Sequence, residues 1–331
     1  MKQLVLTLLV SILASTAIAN EQNELKEFKR EITKEFSVGT NPALHIENKY
    51  GQIRMVEGED NKITFQIEII GKGATEALAK RYAETVSIDF AQRGDKVSAK
   101  TVLESINCSN CGRTTNYTVI VPKGVTMHLD NKYGNIYLDN ASKQLNVVLK
   151  YGNLEANMLA DVKLDIKYGN ASINACNDLN IDCGYAKLKV GKVDHINADS
   201  KYDEFQIGTV TDLTMNTKYT KVKIDKLNNS FVCNDFKYCT LNISDISTQF
   251  SRIKINAGYS NITLALDNRH SFKASLSARY GSIKMEKLTF NNVSMGNKVR
   301  NTESISGTAG TDNNPSATVD ITASYGNIVF N

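Results

Sequence analysis

Tryptophan is absent from the 331 residues, and there are only 3 prolines and 4 histidines. Proline cannot donate to a sheet ladder, so its scarcity leaves almost every backbone N–H free to pair. Neither charge sign dominates, since 39 basic side chains stand against 35 acidic ones for a formal +4. That balance provides no polybasic footprint for nucleic acid and no acidic tail. Beyond the N-terminus no apolar run reaches the roughly 18 residues that a transmembrane helix needs. No second Cys-x-x-Cys and no paired histidines accompany Cys108-Ser-Asn-Cys111, so a zinc site is not expected; no metal is assigned and no cofactor is implied.

What is present in excess is asparagine, at 35 residues, and tyrosine, at 14. Asparagine tolerates the left-handed backbone region and bonds its own local backbone, so this much of it predicts many turns. At the N-terminus Lys2, the apolar run Leu4 to Ala14 and the small-residue site Ala17-Ile18-Ala19 read as a secretory signal peptide cut before Asn20. No cysteine stands at the cut for lipid attachment. The reading is an exported protein of the periplasm or cell surface, and a monomer is expected.

The tyrosines carry a repeat. Lys-Tyr-Gly-Asn occurs at Lys132 to Asn135, Lys150 to Asn153 and Lys167 to Asn170, with related forms at Tyr185, Tyr202, Tyr219, Tyr238, Tyr259 and Tyr280 and outliers at Tyr50 and Tyr325. Successive spacings from Tyr133 are 18, 17, 17, 17, 17, 19, 21 and 21 residues. Six and four residues before each tyrosine stand apolar residues such as Leu145 and Val147, and three and five after it others such as Leu154 and Ala156. Alternation within each half is the period of a strand with one buried face. Units this short hold no crossover helix, and propeller blades need about 40 residues. The prediction is therefore all-β: a right-handed parallel β-helix, or β-solenoid, with 17 to 21 residues per coil.

Around the repeat, residues 20–123 read as an elaborated first coil and cap, with strands near 45–50, 62–70, 86–91, 96–102 and 116–121 and one short helix near 75–85. Residues 124–290 are the solenoid, 291–315 a mobile Asn/Gly/Ser/Thr-rich excursion, and 316–331 a terminal coil.

Stacking turns each repeated position into a ladder. Strand parity places the tyrosines on the inward face at the edge of a corner, with Gly134, Gly152 and Gly169 supplying backbone freedom and Asn135, Asn153 and Asn170 bonding from rung to rung. The tyrosines are read chiefly as structural, with carbohydrate stacking as the functional alternative. One residue before the tyrosine runs a basic ladder of Lys49, Lys132, Lys150, Lys167, Lys201, Lys218, Lys237 and Arg279, and two earlier an acidic one of Glu47, Asp130, Asp165, Asp182, Asp199 and Asp235. The bland reading is a solvated mixed face. The sharper one is a charged strip for an anionic glycan or a partner protein.

Catalysis needs one constellation, so departures from the repeat are the catalytic candidates. The coil with His195, Asp199, Asp203 and Glu204 is the most irregular, and paired carboxylates near a histidine can serve acid–base chemistry or hold Ca²⁺, though acidic side chains at a solvated turn are the commoner case. Among six cysteines, Cys108 and Cys111 form the one sequence-close pair placed to bond; Cys176 and Cys183 point inward by parity, Cys233 outward, and Cys239 sits at a corner.

His45-Ile-Glu-Asn-Lys-Tyr-Gly51, the strand Ile63 to Ile70 followed by the helix, Tyr117-Thr-Val-Ile-Val-Pro-Lys-Gly124 and Asn131-Lys-Tyr-Gly-Asn135 with its copies resemble the exported putative-adhesin β-helix proteins of Bacteroidetes, a family otherwise of unknown function. The resemblance implies the β-helix and no catalytic residues. The favoured expectation is a non-enzymatic module binding a glycan, an envelope component or a protein. A polysaccharide lyase or hydrolase on the same scaffold is one alternative, and an accessory to an envelope-sensing system is another.

Overall fold

The computed structural model describes residues 25–58, 61–295 and 301–331, so the signal-peptide reading of residues 1–19 lies outside the described residues. Its 24 strands form one sheet wound into a solenoid. Asn153–Lys167 pairs in parallel with Asn170–Gly184, that strand with Lys187–Lys201, and that with Glu204–Lys218. The offset is 17 residues throughout, as in Leu164↔Ile181↔Ala198. Each coil thus sets its apolar rows directly on the next, and the core is a column of stacked Leu, Ile, Val and Phe.

The corner at each tyrosine differs from the parity expectation. All eleven repeat tyrosines have positive φ, from 52° at Tyr280 to 63° at Tyr202. A left-handed residue interrupts the alternation. The buried residue two before the tyrosine is followed by an outward ring, and the next residue points inward. The tyrosines are therefore on the outer surface, which corrects the inward placement. The glycines have a different task as well. Gly134 and Gly169 are not in the left-handed region, but a Cβ on either would lie 1.9 Å from the carbonyl oxygen of the glycine one coil earlier, Gly51 or Gly152. They permit close approach of backbones and leave the unusual φ to the tyrosines.

Left-handed geometry costs a non-glycine residue about 1–2 kcal/mol. Each ring packs on its neighbours above and below, at roughly 0.5–1.5 kcal/mol per aromatic pair. Stacking is therefore of the right size to offset the strained corner. The following asparagines do bond from rung to rung, Asn135 Oδ1 accepting from Asn153 N at 2.9 Å and Asn153 Oδ1 from Asn170 N at 3.1 Å.

At the N-terminal end the strand Ala43–Lys49 lies between Thr126–Lys132 and Lys96–Leu103, and Ile53–Glu57 between Ile136–Ala141 and Gly112–Val121. Antiparallel strands close both edges: Val86–Arg93 on one side, and Lys62–Gly73 followed by Lys26–Ser37 on the other. The helix Glu76–Glu84 starts at Thr75, whose hydroxyl accepts from Leu78 N, and buries Ala79 and Ala83. It packs so closely over Lys62–Gly73 that a Cβ on Gly71 would meet Ala79 O at 2.1 Å.

Three findings depart from the expected order. Thr318–Ser324 is inserted between Arg252–Gly258 and Phe272–Arg279, parallel to both, so the last coil in sequence is the last but one in space. Within residues 291–315, expected as a loop, Phe290–Met295 and Thr302–Ala309 are strands, the latter antiparallel to Phe272–Arg279 and closing that edge. The 19-residue coil before Tyr238 absorbs its extra residues through register shifts after Val210 and after Met215. The slip turns Phe231, Cys233 and Phe236 inward, so Cys233 is buried and does not face out.

Candidate functional site

The outer surface carries one continuous aromatic feature. Rings of Tyr50, Tyr133, Tyr151, Tyr168, Tyr185, Tyr202, Tyr219, Tyr238, Tyr259, Tyr325 and Tyr280 stack in that order, with centroids 4.6–5.2 Å apart and planes within 17° of parallel. Each is between 38% and 55% exposed, and in all but the terminal Tyr50 and Tyr280 both faces are covered by neighbouring rings, so what reaches solvent is the ring edge and hydroxyl. Sugar stacking needs an open aromatic face. Inside the ladder no such face is free, which removes the basis for carbohydrate stacking along it.

Beside the rings runs the basic ladder, and it is not uniform. Lys167 is paired with Asp182 and Asp165, Lys218 and Lys237 both with Asp235. The Lys237 ammonium, aided by Lys218, holds the Asp235 carboxyl below its ordinary range. Lys201 lies over Tyr202, Lys49 over Tyr50 and Arg279 over Tyr280, with centroid distances of 5.2, 4.7 and 5.2 Å. Lys49, Lys132 and Lys150 sit side by side in register and have no ion-pair partner among the described residues. The strip is therefore ion-paired at Lys167, Lys218 and Lys237, and at its N-terminal end carries three adjacent lysines without such partners.

The four catalytic candidates fall in four separate rows. His195 lies at the far corner of its coil between two carboxylates, Nδ1 3.0 Å from Asp178 and Nε2 3.6 Å from Asp212. Asp199 accepts from Asn216 on the exposed face, and Glu204 is near Lys187. Asp203 is buried and occupied by backbone, its carboxylate accepting from Ala186 N at 2.7 Å and Lys201 N at 2.6 Å, with the Cys183 thiol at 3.4 Å. Burial pushes its pKa up against the pull of those N–H groups. With Asp203 buried in the corner and the other three in different rows, the structure does not bring the proposed acid–base group together.

Asp203 belongs instead to a corner ladder that sequence reading missed. The N–H of Ala186 donates to Asp203 Oδ1, that of Asp203 to Thr220 Oγ1, that of Thr220 to Cys239 Sγ, and that of Cys239 to Ser260 Oγ. The signal was available in the residue after each tyrosine, which is small or polar throughout. Cys108 and Cys111 are bonded to each other, while Cys176, Cys183, Cys233 and Cys239 are free and buried. Burial pushes the Cys176 and Cys233 thiols up to about 12, so they are packing groups at neutral pH. Among several concavities of the described residues, one of about 540 Å³ lies on the outer face near His45 and His128. Both histidines stand five residues before a repeat tyrosine, a coincidence visible in the sequence.

No protein-family model matches the chain, and no curated protein does. Similar solved structures include a putative cell adhesion protein of Clostridium sporogenes, 12% identical, with 92% of this chain and 99% of that one covered and a TM-score of 0.22. A putative adhesin of Bacteroides fragilis is 13% identical over 91% and 97% of the two chains, with a TM-score of 0.37. A putative lipid binding protein of Parabacteroides distasonis is 11% identical over 68% and 96%, with a TM-score of 0.39. At these values none of them carries an argument about what this chain binds. Among the described residues no helix is long and apolar enough to cross a membrane.

Proposed function

We propose that the chain is an exported, non-enzymatic binding rod of adhesin type, whose tyrosine and lysine strip holds an extended acidic glycan of a cell envelope or surface. The observation that carries this reading is the ladder of eleven exposed phenol edges at one regular pitch, with unpaired Lys49, Lys132 and Lys150 beside its N-terminal end. Phenol hydroxyls at that pitch offer a hydrogen bond to each successive unit of a polymer laid along the rod. Stacked like charges repel by a few tenths of a kcal/mol per pair, and an anionic chain would relieve that repulsion. Covered ring faces favour contacts at edges and charges over stacking on neutral sugars.

The test is binding of residues 20–331 to acidic and neutral polysaccharides and to envelope extracts. Acidic polymers should bind at low salt and weaken steeply as salt rises. Changing Lys49, Lys132 and Lys150 together to Gln should weaken binding at least tenfold with an unchanged circular dichroism spectrum. Equal binding of neutral and acidic polymers, or none of either, would sink the proposal.

A further inference from the structure

Apart from the strip, and separated from Lys49 and Lys132 by the row holding Glu47 and Asp130, lies the 540 Å³ cleft on the outer face of the N-terminal coils. Its floor is a single register row. Ser98, His45, His128 and Asn146 lie side by side on four neighbouring strands, and the two imidazoles meet edge to face with centroids 4.6 Å apart. Burial, together with the neighbouring His45, lowers the His128 pKa, so this ring presents a neutral donor and acceptor. Ala43 and Ala91, on the same outward face, supply apolar lining.

The rim is cationic. Val86–Arg93 turns back through Gly94 and Asp95 into Lys96–Leu103, which sets Arg93 opposite Lys96 at the cleft mouth. Nearby carboxylates are committed elsewhere. Asp95 accepts from the backbone N–H groups of Gly39 at 2.7 Å and Asn41 at 3.4 Å, and Glu47 pairs with Lys100 at 2.7 Å while also lying 3.8 Å from His45 Nε2 at the edge of the floor. Neither Arg93 nor Lys96 has an ion-pair partner among the described residues. The cleft therefore combines two free cations, a row of hydrogen-bonding groups and an apolar surface, in a volume typical of small-molecule sites.

We infer that this cleft binds one uronic-acid ring, a pyranose bearing a carboxylate. Arg93 and Lys96 take the carboxylate, the Ser98–His45–His128–Asn146 row takes the hydroxyls, and the C–H face of the ring lies on the apolar lining. The inference does not rest on the tyrosine strip.

Glucuronate is the probe, titrated into residues 20–331 while the His45 and His128 imidazole resonances are followed by NMR. Both should shift with saturation. Glucose, which lacks the carboxylate, and hexanoate, which lacks the hydroxyls, should each bind at least tenfold more weakly. Arg93→Gln with Lys96→Gln, both at the exposed hairpin tip, should weaken glucuronate at least tenfold, while the Lys49/Lys132/Lys150 variant leaves it unchanged. An acidic tetrasaccharide that moves the same two resonances at equal or higher affinity assigns the ring to a chain end; response to the monosaccharide alone assigns it to free sugar. Unmoved imidazoles, equal binding of hexanoate or glucose, or no loss in the double variant would overturn the site, whatever becomes of the strip.

Discussion

From Tyr50 to Tyr168 the residue after each tyrosine is glycine, whereas from Tyr185 to Tyr259 it is Ala186, Asp203, Thr220, Cys239 and Ser260. Both sets of coils keep the same tyrosine stacking, near 5 Å between rings. In the first set the preceding carbonyl occupies the space a Cβ would need. In the second set Ala186 carries a methyl group, and the side chains of Asp203, Thr220, Cys239 and Ser260 each receive the N–H of the coil before. Thr220 and Ser260 also donate back to the carbonyls of Lys218 and Gly258, whereas the Asp203 carboxylate accepts from Lys201 N. The same corner is thus built either by excluding a side chain or by bonding through one, and the first solution forbids the second's residues.

The sharpest way to break this comparison is to exchange the corners. Gly169→Ala places a methyl carbon 1.9 Å from Gly152 O, and the backbone shift it forces should cost about 3 kcal/mol in urea denaturation. Ala186→Gly, one coil later, should cost about 1 kcal/mol or less, through chain entropy alone. Equal losses in the two variants would show that the two corner types are not distinct.

A second effect follows from the side-chain corner. Asp203→Ala leaves the N–H groups of Ala186 and Lys201 without partners and should cost about 2 kcal/mol. Because burial raises the folded pKa of Asp203 above its ordinary 3.8, its contribution is complete below that ordinary value and is lost as pH rises through the folded one. The stability difference between the natural chain and Asp203→Asn should accordingly be larger near pH ~3.5 than near pH ~7. A difference that is flat, or that grows with pH, would show that burial does not govern this carboxyl.

The smallest effect concerns the feature common to both sets. Tyr168→Ala removes two ring contacts and keeps the left-handed φ of 56°, so it should lose about 1–2 kcal/mol. Tyr168→Gly loses the same contacts but relieves the left-handed strain, and should be the more stable of the two by about 1–2 kcal/mol. If the glycine variant is no more stable than the alanine one, stacking is not offsetting backbone strain at this corner.

Much of this was legible before any coordinates. The apolar rows, the coil length, the asparagine rungs and the capping helix follow from spacings within one or two coils. The outward turn of the tyrosines was written there as well, in the change from even apolar positions before the ring to odd ones after it. The Cys233 error had a related cause, since a fixed alignment on the tyrosine cannot show where a 19-residue coil takes up its extra residues. Asp203 looked chemical because Asp-Glu replaces Gly-Asn at that corner of the repeat. Only its buried bonds to Ala186 and Lys201 show a corner group.

The sequence by itself determined that the chain winds into stacked coils, because alternation and regular spacing are local and each unit can bury its apolar face only on another unit. It did not determine which coil lies on which. Every strand carries nearly the same pattern and can pair with many others, so the seat of Thr318–Ser324 between Arg252–Gly258 and Phe272–Arg279 was decided by tertiary structure. The neighbours of Ala43–Lys49, which lie some 50 and 80 residues away, were decided in the same way. Parallel pairing joins residues distant along the chain, and its register is set by the whole stack. The closing of the ring faces and the meeting of His45 with His128 have that same origin, since both are contacts between coils.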